Sequence, residues 1–320
     1  MMAFPHEGTD WAVNGGVQSA LSPFVRLAQA IAYREAVYIL CRDRREIEGL
    51  FCSRRNMTFI EIDYDDTWTR DYGPLSVEED GEPLLLDFRF DGWGGKYRAS
   101  LDDTVNRTLH DRGYFGTTPM LGREFVLEGG SIESDGAGTI MTTARCLLNP
   151  NRNGGLSREE VERELSESLG AKRVLWLENG YLAGDDTDGH IDMLARFADE
   201  KTILYLSCDD EEDEHYTQLK AMREELESFE TAEGEPYRLI PLPMCAEARN
   251  DDGERLPLSY ANFLVCNGTV VYPTYGDPSD RVAGEILASA FPGRETIPVP
   301  SLKLTEQGGS LHCSTMQIYY

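Results

Sequence analysis

The feature that most narrows the fold is a rhythm. A short apolar strand, an amphipathic helix and a second short strand return about five times along the chain. Residues 138–142 read as a buried strand. A capping box, Ser157 with Glu160, then opens a helix with Val161, Leu165 and Leu169 on one face. Gly170 stops that helix, and residues 174–177 form the next strand. The same order returns at residues 268–272, a helix carrying Val282, Ile286 and Ala290, and residues 296–299. Weaker copies run from residues 84–90 through a polar helix near 101–110 to 125–127. Another joins 203–206, a helix with Leu219, Met222, Leu226 and Phe229 inward, and 239–242. At the start, a helix over residues 21–32 precedes a strand at 37–40. An ordinary α/β domain also alternates strands and helices. Five copies, with polar, glycine-rich turns after the later strands, favour a closed α/β propeller. A hydrophobic content of 41% suffices for a sizeable core, and residues 1–320 are expected to form a single domain.

The formal net charge is −27, the wrong sign for binding a phosphate backbone, so nucleic acid is not an expected partner. An acidic field favours cationic small molecules instead. The run Asp209-Asp210-Glu211-Glu212-Asp213-Glu214 reads as a solvated, solubilising face. Seven cysteines, scattered without C-x-x-C pairs, fit a reducing compartment. No signal peptide is visible after Met1, and no apolar run approaches the ~20 residues that span a bilayer. The expectation is a cytoplasmic protein with no membrane partner. A homodimer or higher homo-oligomer is compatible with the sequence.

Three glycine-punctuated turns carry groups capable of chemistry. Cys313 ends Gly308-Gly309-Ser310-Leu311-His312-Cys313, where the glycines let a ligand come close to the backbone. Glu128 opens Glu128-Gly129-Gly130-Ser131-Ile132, and His190 and Asp192 lie in Gly184-Asp185-Asp186-Thr187-Asp188-Gly189-His190-Ile191-Asp192. A fourth segment, Trp68-Thr69-Arg70-Asp71-Tyr72-Gly73-Pro74, is too polar for a core and follows a strand near residues 59–62. Asp71, Glu128, His190, Asp192 and Cys313 are expected to line one cavity. A guanidinium is planar and matches carboxylates bidentately, so Asp71 and Asp192 suit holding one while a thiolate attacks its carbon. His190 then suits protonating the departing ammonia and activating a water. Zinc on Cys313, His312 and His190 would call for tighter local spacing. Calcium at Asp186-Thr187-Asp188-Gly189 lacks the terminal Glu, since Ala195 stands in its place. Neither a P-loop nor a G-x-S-x-G elbow is present. No metal and no cofactor are expected.

These motifs, together with Asn149-Pro150-Asn151-Arg152-Asn153, resemble the agmatine deiminase family, grouped with the Porphyromonas-type peptidyl-arginine deiminases. The likeness runs over almost the whole chain. It implies a pentein fold, five pseudo-symmetric ββαβ units around a central channel. It implies hydrolysis of agmatine to N-carbamoylputrescine and ammonia through an amidino-cysteine. Cys313 would be the nucleophile, His190 the acid/base, Glu128 its assistant, and Asp71 and Asp192 the guanidinium clamp. Asp186 would face the substrate's amino end, Trp93 would form an apolar wall, and Gly309 would allow close approach of substrate. Two departures stand out. Family members usually carry an extra segment before a Phe-Pro like Phe4-Pro5, so the expectation is either a first repeat short of a strand or a misassigned start. Asp188 and Met193 occupy positions where many members have asparagine, which loosens the assignment of the substrate's tail. Rival readings are a deiminase of free or peptidyl arginine, a metal hydrolase, and a non-catalytic polyamine-binding propeller.

Overall fold

The computed structural model describes residues 1–12 and 16–320. It is α/β throughout, with five separate three-stranded sheets. Two compact units divide the chain. The first comprises Met1–Gly129, Pro150–Gly154 and His312–Tyr320, and the second comprises Gly130–Asn149 and Gly155–Leu311.

The first unit holds two sheets. Strands β1 (Met2–Ala3), β2 (Val37–Cys41) and β3 (Met57–Glu61) form one, in that order. Strands β4 (Leu75–Glu79), β5 (Glu82–Arg89) and β6 (Met120–Val126) form the other. Asp80 and Gly81 join β4 to β5 with φ of 53° and 85°. Two consecutive left-handed residues match the right-handed twist of a tight hairpin, which is why Asp-Gly recurs there.

The second unit holds three sheets of the same plan. They are β7 (Ile132–Ser134), β8 (Thr139–Thr143) and β9 (Arg173–Leu177); β10 (Ala195–Asp199), β11 (Thr202–Ser207) and β12 (Arg238–Pro243); and β13 (Leu264–Cys266), β14 (Thr269–Thr274) and β15 (Glu295–Pro300). In four of the five sheets the first pair is antiparallel and the second parallel. The first sheet differs. Its two-residue β1 pairs parallel with β2, Met2 opposite Ile39. The strand expected to be missing from the first repeat is thus present, as the two-residue β1.

Helices close each parallel connection. The Arg158–Leu169 helix carries the full capping box, buries Val161 and Leu165, and ends at Gly170 with φ 68°. The Tyr216–Ser228 helix buries Leu219, Met222 and Leu226. The Ser279–Ala290 helix corrects the expected face: Ala283, Gly284 and Leu287 are buried, while Val282 is exposed. The cause is close packing on β14. A Cβ on Gly284 would fall 2.4 Å from the Tyr272 hydroxyl, so the backbone itself meets the sheet and turns Val282 outward. Among the described residues, no helix is long and apolar enough to cross a membrane.

Candidate active site

In the first unit, Asp71 lies on a single helical turn, Thr69–Tyr72, and is buried. That segment is fastened at both ends. The Asp102 carboxylate accepts the amides of Asp65 at 2.7 Å and Asp66 at 3.2 Å, and Asp65 in turn accepts the Leu101 amide. At the far end, Asn106 Nδ2 donates to the Tyr72 carbonyl at 2.7 Å and to Asp87 Oδ1 at 2.8 Å. Burying these acids disfavours their charge. Burial pushes Asp66 up to about 7, against the opposing hydrogen bond from Thr67, and holds Asp102 well above the usual carboxylate range.

The indole of Trp93 donates from Nε1 to Asp71 Oδ2 at 3.0 Å, and Phe90 and Tyr97 pack edge-on against its ring. Trp93 therefore contributes a polar contact to Asp71 in addition to its packed aromatic ring. Its φ of 58° is unusual for a bulky residue, and the turn that imposes it is capped by Asp91 accepting the Gly94 amide. Arg70 links Asp71 to the thiol segment. Its amide donates to the Cys313 carbonyl at 3.1 Å, and its side chain reaches the His312 carbonyl and Gln317 Oε1. Cys313 is buried, on a turn. Gly129 packs on the same strut: a Cβ there would lie 2.2 Å from the Arg70 carbonyl oxygen, which explains why glycine follows Glu128.

Glu128 is fully buried, and both of its oxygens accept from Arg152 Nε, at 2.8 and 2.9 Å. A charge-assisted pair of this kind satisfies two groups that could not be buried singly. Asn153 fixes the neighbouring strand end, exchanging two hydrogen bonds with the Val126 backbone. The sequence marked Arg152 as part of a motif but not as the partner of Glu128. The spacing of 24 residues hides that pairing.

In the second unit, His190 immediately precedes the short turn Ile191–Met193 and Asp192 lies within it; both are buried. The loop before them is built on Asp185. Its carboxylate accepts the Thr187 amide and hydroxyl and the Gly189 amide, and the Thr187 hydroxyl accepts the His190 amide at 3.1 Å. Thr143 Oγ1 donates to the Gly189 carbonyl at 2.6 Å. Asn262 Nδ2 donates to the Asp192 carbonyl, and Ser259 Oγ to that of Met193. Asp185 is thus turned inward as a loop builder, whereas Asp186 is exposed. Gly308 approaches this loop. A Cβ on it would lie 3.8 Å from the Gly184 carbonyl and 3.9 Å from Asp186 Cβ, which sets the Gly308-Gly309 turn beside Asp186.

The repeated sheets, and the buried acids and thiol on the turns around them, define an α/β protein of the deiminase class. The chain belongs to the Porphyromonas-type peptidyl-arginine deiminase family, whose model matches residues 1–318. It is 36% identical to the agmatine deiminase of Pseudomonas aeruginosa, over 99% of this chain and 91% of that one. It is also 36% identical to a substrate-bound agmatine deiminase of C. jejuni, with a TM-score of 0.91 over 98% of this chain and 91% of that one. A Porphyromonas gingivalis structure bearing the provisional name arginine deiminase is 45% identical, with a TM-score of 0.93 over 99% and 94%.

Proposed function

We propose that this protein hydrolyses agmatine to N-carbamoylputrescine and ammonia. The Cys313 thiolate attacks the guanidinium carbon, forming a C–S bond. His190 gives a proton to the departing nitrogen, which leaves as ammonia. A water, deprotonated by His190, then attacks the amidino-cysteine; the C–S bond breaks, the thiolate is restored and the ureido product is released. Asp71 and Asp192 clamp the guanidinium, Glu128 assists His190 while its charge is balanced by Arg152, and Gly309 leaves room for substrate. Asp186 takes the distal ammonium. These roles need only side chains, so the reaction is proposed to be cofactor-free, and residues 1–320 to act as one cytoplasmic catalytic domain. The five three-stranded sheets support the finer reading of a five-unit propeller.

The observation that carries this reading is the Arg70 amide bonded to the Cys313 carbonyl. It sets the thiol-bearing turn against the residue that precedes Asp71, so that a carboxylate and a nucleophile are fixed on one strut. A likeness of 36% identity to agmatine deiminases over nearly the full length supports the substrate. Free arginine is the rival, favoured by the provisional name of the Porphyromonas gingivalis relative. Recognising its α-carboxylate calls for a cation. Yet Arg152 is held by Glu128, Arg70 by Gln317 and a carbonyl, and Arg255 by Asp213 and Glu214. Ammonia release measured side by side on agmatine, arginine and an arginine-terminated peptide tests the assignment. The expected preference for agmatine is at least ~100-fold in kcat/KM, the scale of a mismatched buried charge. Equal rates on arginine would overturn the substrate and leave the deiminase chemistry standing.

A further inference from the structure

The acidic run at residues 209–214 does more than solubilise. Its fifth member, Asp213, accepts from Arg255 Nη2 at 2.6 Å and from His215 Nδ1 at 2.7 Å. His215 is 1% exposed, and its other nitrogen, Nε2, accepts the amide N–H of Ala183 at 2.9 Å. That amide can only donate, so Nε2 must carry a lone pair, and the ring proton sits on Nδ1 facing Asp213. The imidazole is therefore held neutral in a single tautomer.

What it holds is the entry to the Asp186 loop. Ala183 is followed by Gly184, whose backbone presses on the neighbouring segment: a Cβ there would lie 2.4 Å from the Arg255 carbonyl oxygen. Side chain and backbone of the 255 segment thus fix the same two residues, one directly and one through His215. Tyr181 stacks on the imidazole from the loop side, at 5.6 Å between centroids.

We propose that His215 is a positioning residue for substrate recognition: through the Ala183 amide it fixes the loop that presents Asp186 to the substrate's distal ammonium and leads into His190. The inference rests on the function proposed above, since Asp186 is the tail-binding acid only in that reading. The titratable and charged groups facing His215 are Asp213 and Glu214 on its own segment, Arg255 across from it, and Tyr181 on the loop. Burial, then Arg255, lower its affinity for a proton, while Asp213 and Glu214 raise it; the balance lies below the ordinary imidazole range. Protonation puts an N–H on Nε2 against the Ala183 N–H, two donors face to face, and releases the latch.

The test compares wild type, His215→Gln and His215→Leu. Glutamine can offer Oε1 to the Ala183 amide but does not titrate; leucine leaves that amide buried and unsatisfied. His215→Leu should raise KM for agmatine about tenfold, the scale of one orphaned buried donor, with kcat changed far less. His215→Gln should restore KM at neutral pH and abolish the rise in KM that wild type shows as pH falls below the imidazole range. Hydrogen exchange of the peptide spanning residues 183–190, corrected for intrinsic rates, gives a readout independent of turnover. It should quicken in acid for wild type and not for His215→Gln. If His215→Leu does not fold, the wild-type and glutamine profiles still decide. Identical KM profiles and identical exchange in those two proteins would overturn the latch. A wild type that exchanges as expected but releases no ammonia from agmatine would instead overturn the proposed function and spare the structural latch.

Discussion

The Asp71 segment and the Asp186 loop are both polar turns that follow strands, yet they are built on opposite principles. The Asp71 segment has no glycine between Asp65 and Tyr72. It is pinned by Asp102 at one end and Asn106 at the other, and its carboxylate is held by Trp93. The Asp186 loop is bounded by Gly184 and Gly189, both at positive φ, and is shaped by Asp185 and latched by a neutral His215. One is held rigidly at both ends, and is proposed to clamp the fixed geometry of a guanidinium. The other is a glycine-bounded arm held by its own side chains, and is proposed to meet the tail that differs between substrates. Preorganisation is worth most where charge must be placed against a reacting centre.

They also respond to pH with opposite signs. Asp66 has a folded pKa of about 7, above its unfolded value, so the folded state binds the extra proton and stability falls as pH rises from the unfolded carboxylate range towards 7. His215 is depressed in the fold, so the unfolded state binds the extra proton and stability falls as pH drops below the unfolded imidazole value.

The largest effect is expected from Asp71→Asn. An oxygen remains for Trp93 Nε1, so the fold should survive, while kcat/KM should fall by roughly 10³-fold through loss of a buried charge partner. Steady-state kinetics with agmatine read this directly, and near-wild-type efficiency would make Asp71 a structural acid. Next comes Asp66→Asn, which keeps the acceptor for Thr67 and removes the cost of charge. It should stabilise the protein by up to about 4 kcal/mol near pH 8 and by less than half of that near pH 5. Denaturant titrations at the two pH values check it, and an equal effect at both would mean that Asp66 does not carry the alkaline sensitivity. Asp186→Ala should have the smallest effect. KM for agmatine should rise about tenfold with kcat nearly spared, as expected for loss of one exposed ion pair remote from the reacting carbon. A collapse of kcat as large as that of Asp71→Asn would erase the distinction between clamp and arm.

Much of this was legible locally. The capping box at Ser157, the stop at Gly170 and the apolar runs of the central strands are signals within a few residues, and the structure forms them as read. The antiparallel strands β4, β7, β10 and β13 were missed because three to five residues carry little periodicity of their own. Asp80-Gly81 was the available hairpin signal for β4. The exposed Val282 was misjudged because the face of that helix is set by Gly284 against Tyr272, a contact no helical period reveals. Glycine motifs pointed to Glu128, His190, Asp192 and Cys313, and the polarity of a post-strand segment to Asp71, but neither signal pointed to the residues that hold them. Trp93 is 22 residues from Asp71, and Arg255 is 42 from Asp213. Their pairing exists only once the sheets have formed.

The account stands or falls on Cys313 as the nucleophile. Wild type and Cys313→Ser, each verified as folded, should be mixed with agmatine, acid-quenched on the millisecond scale and examined by intact-protein and peptide mass spectrometry. The account predicts an adduct of agmatine less ammonia on the Cys313 peptide of wild type, with neither adduct nor measurable ammonia release from the serine variant, because a hydroxyl is a far poorer nucleophile at neutral pH. Substantial ammonia release from Cys313→Ser would contradict it.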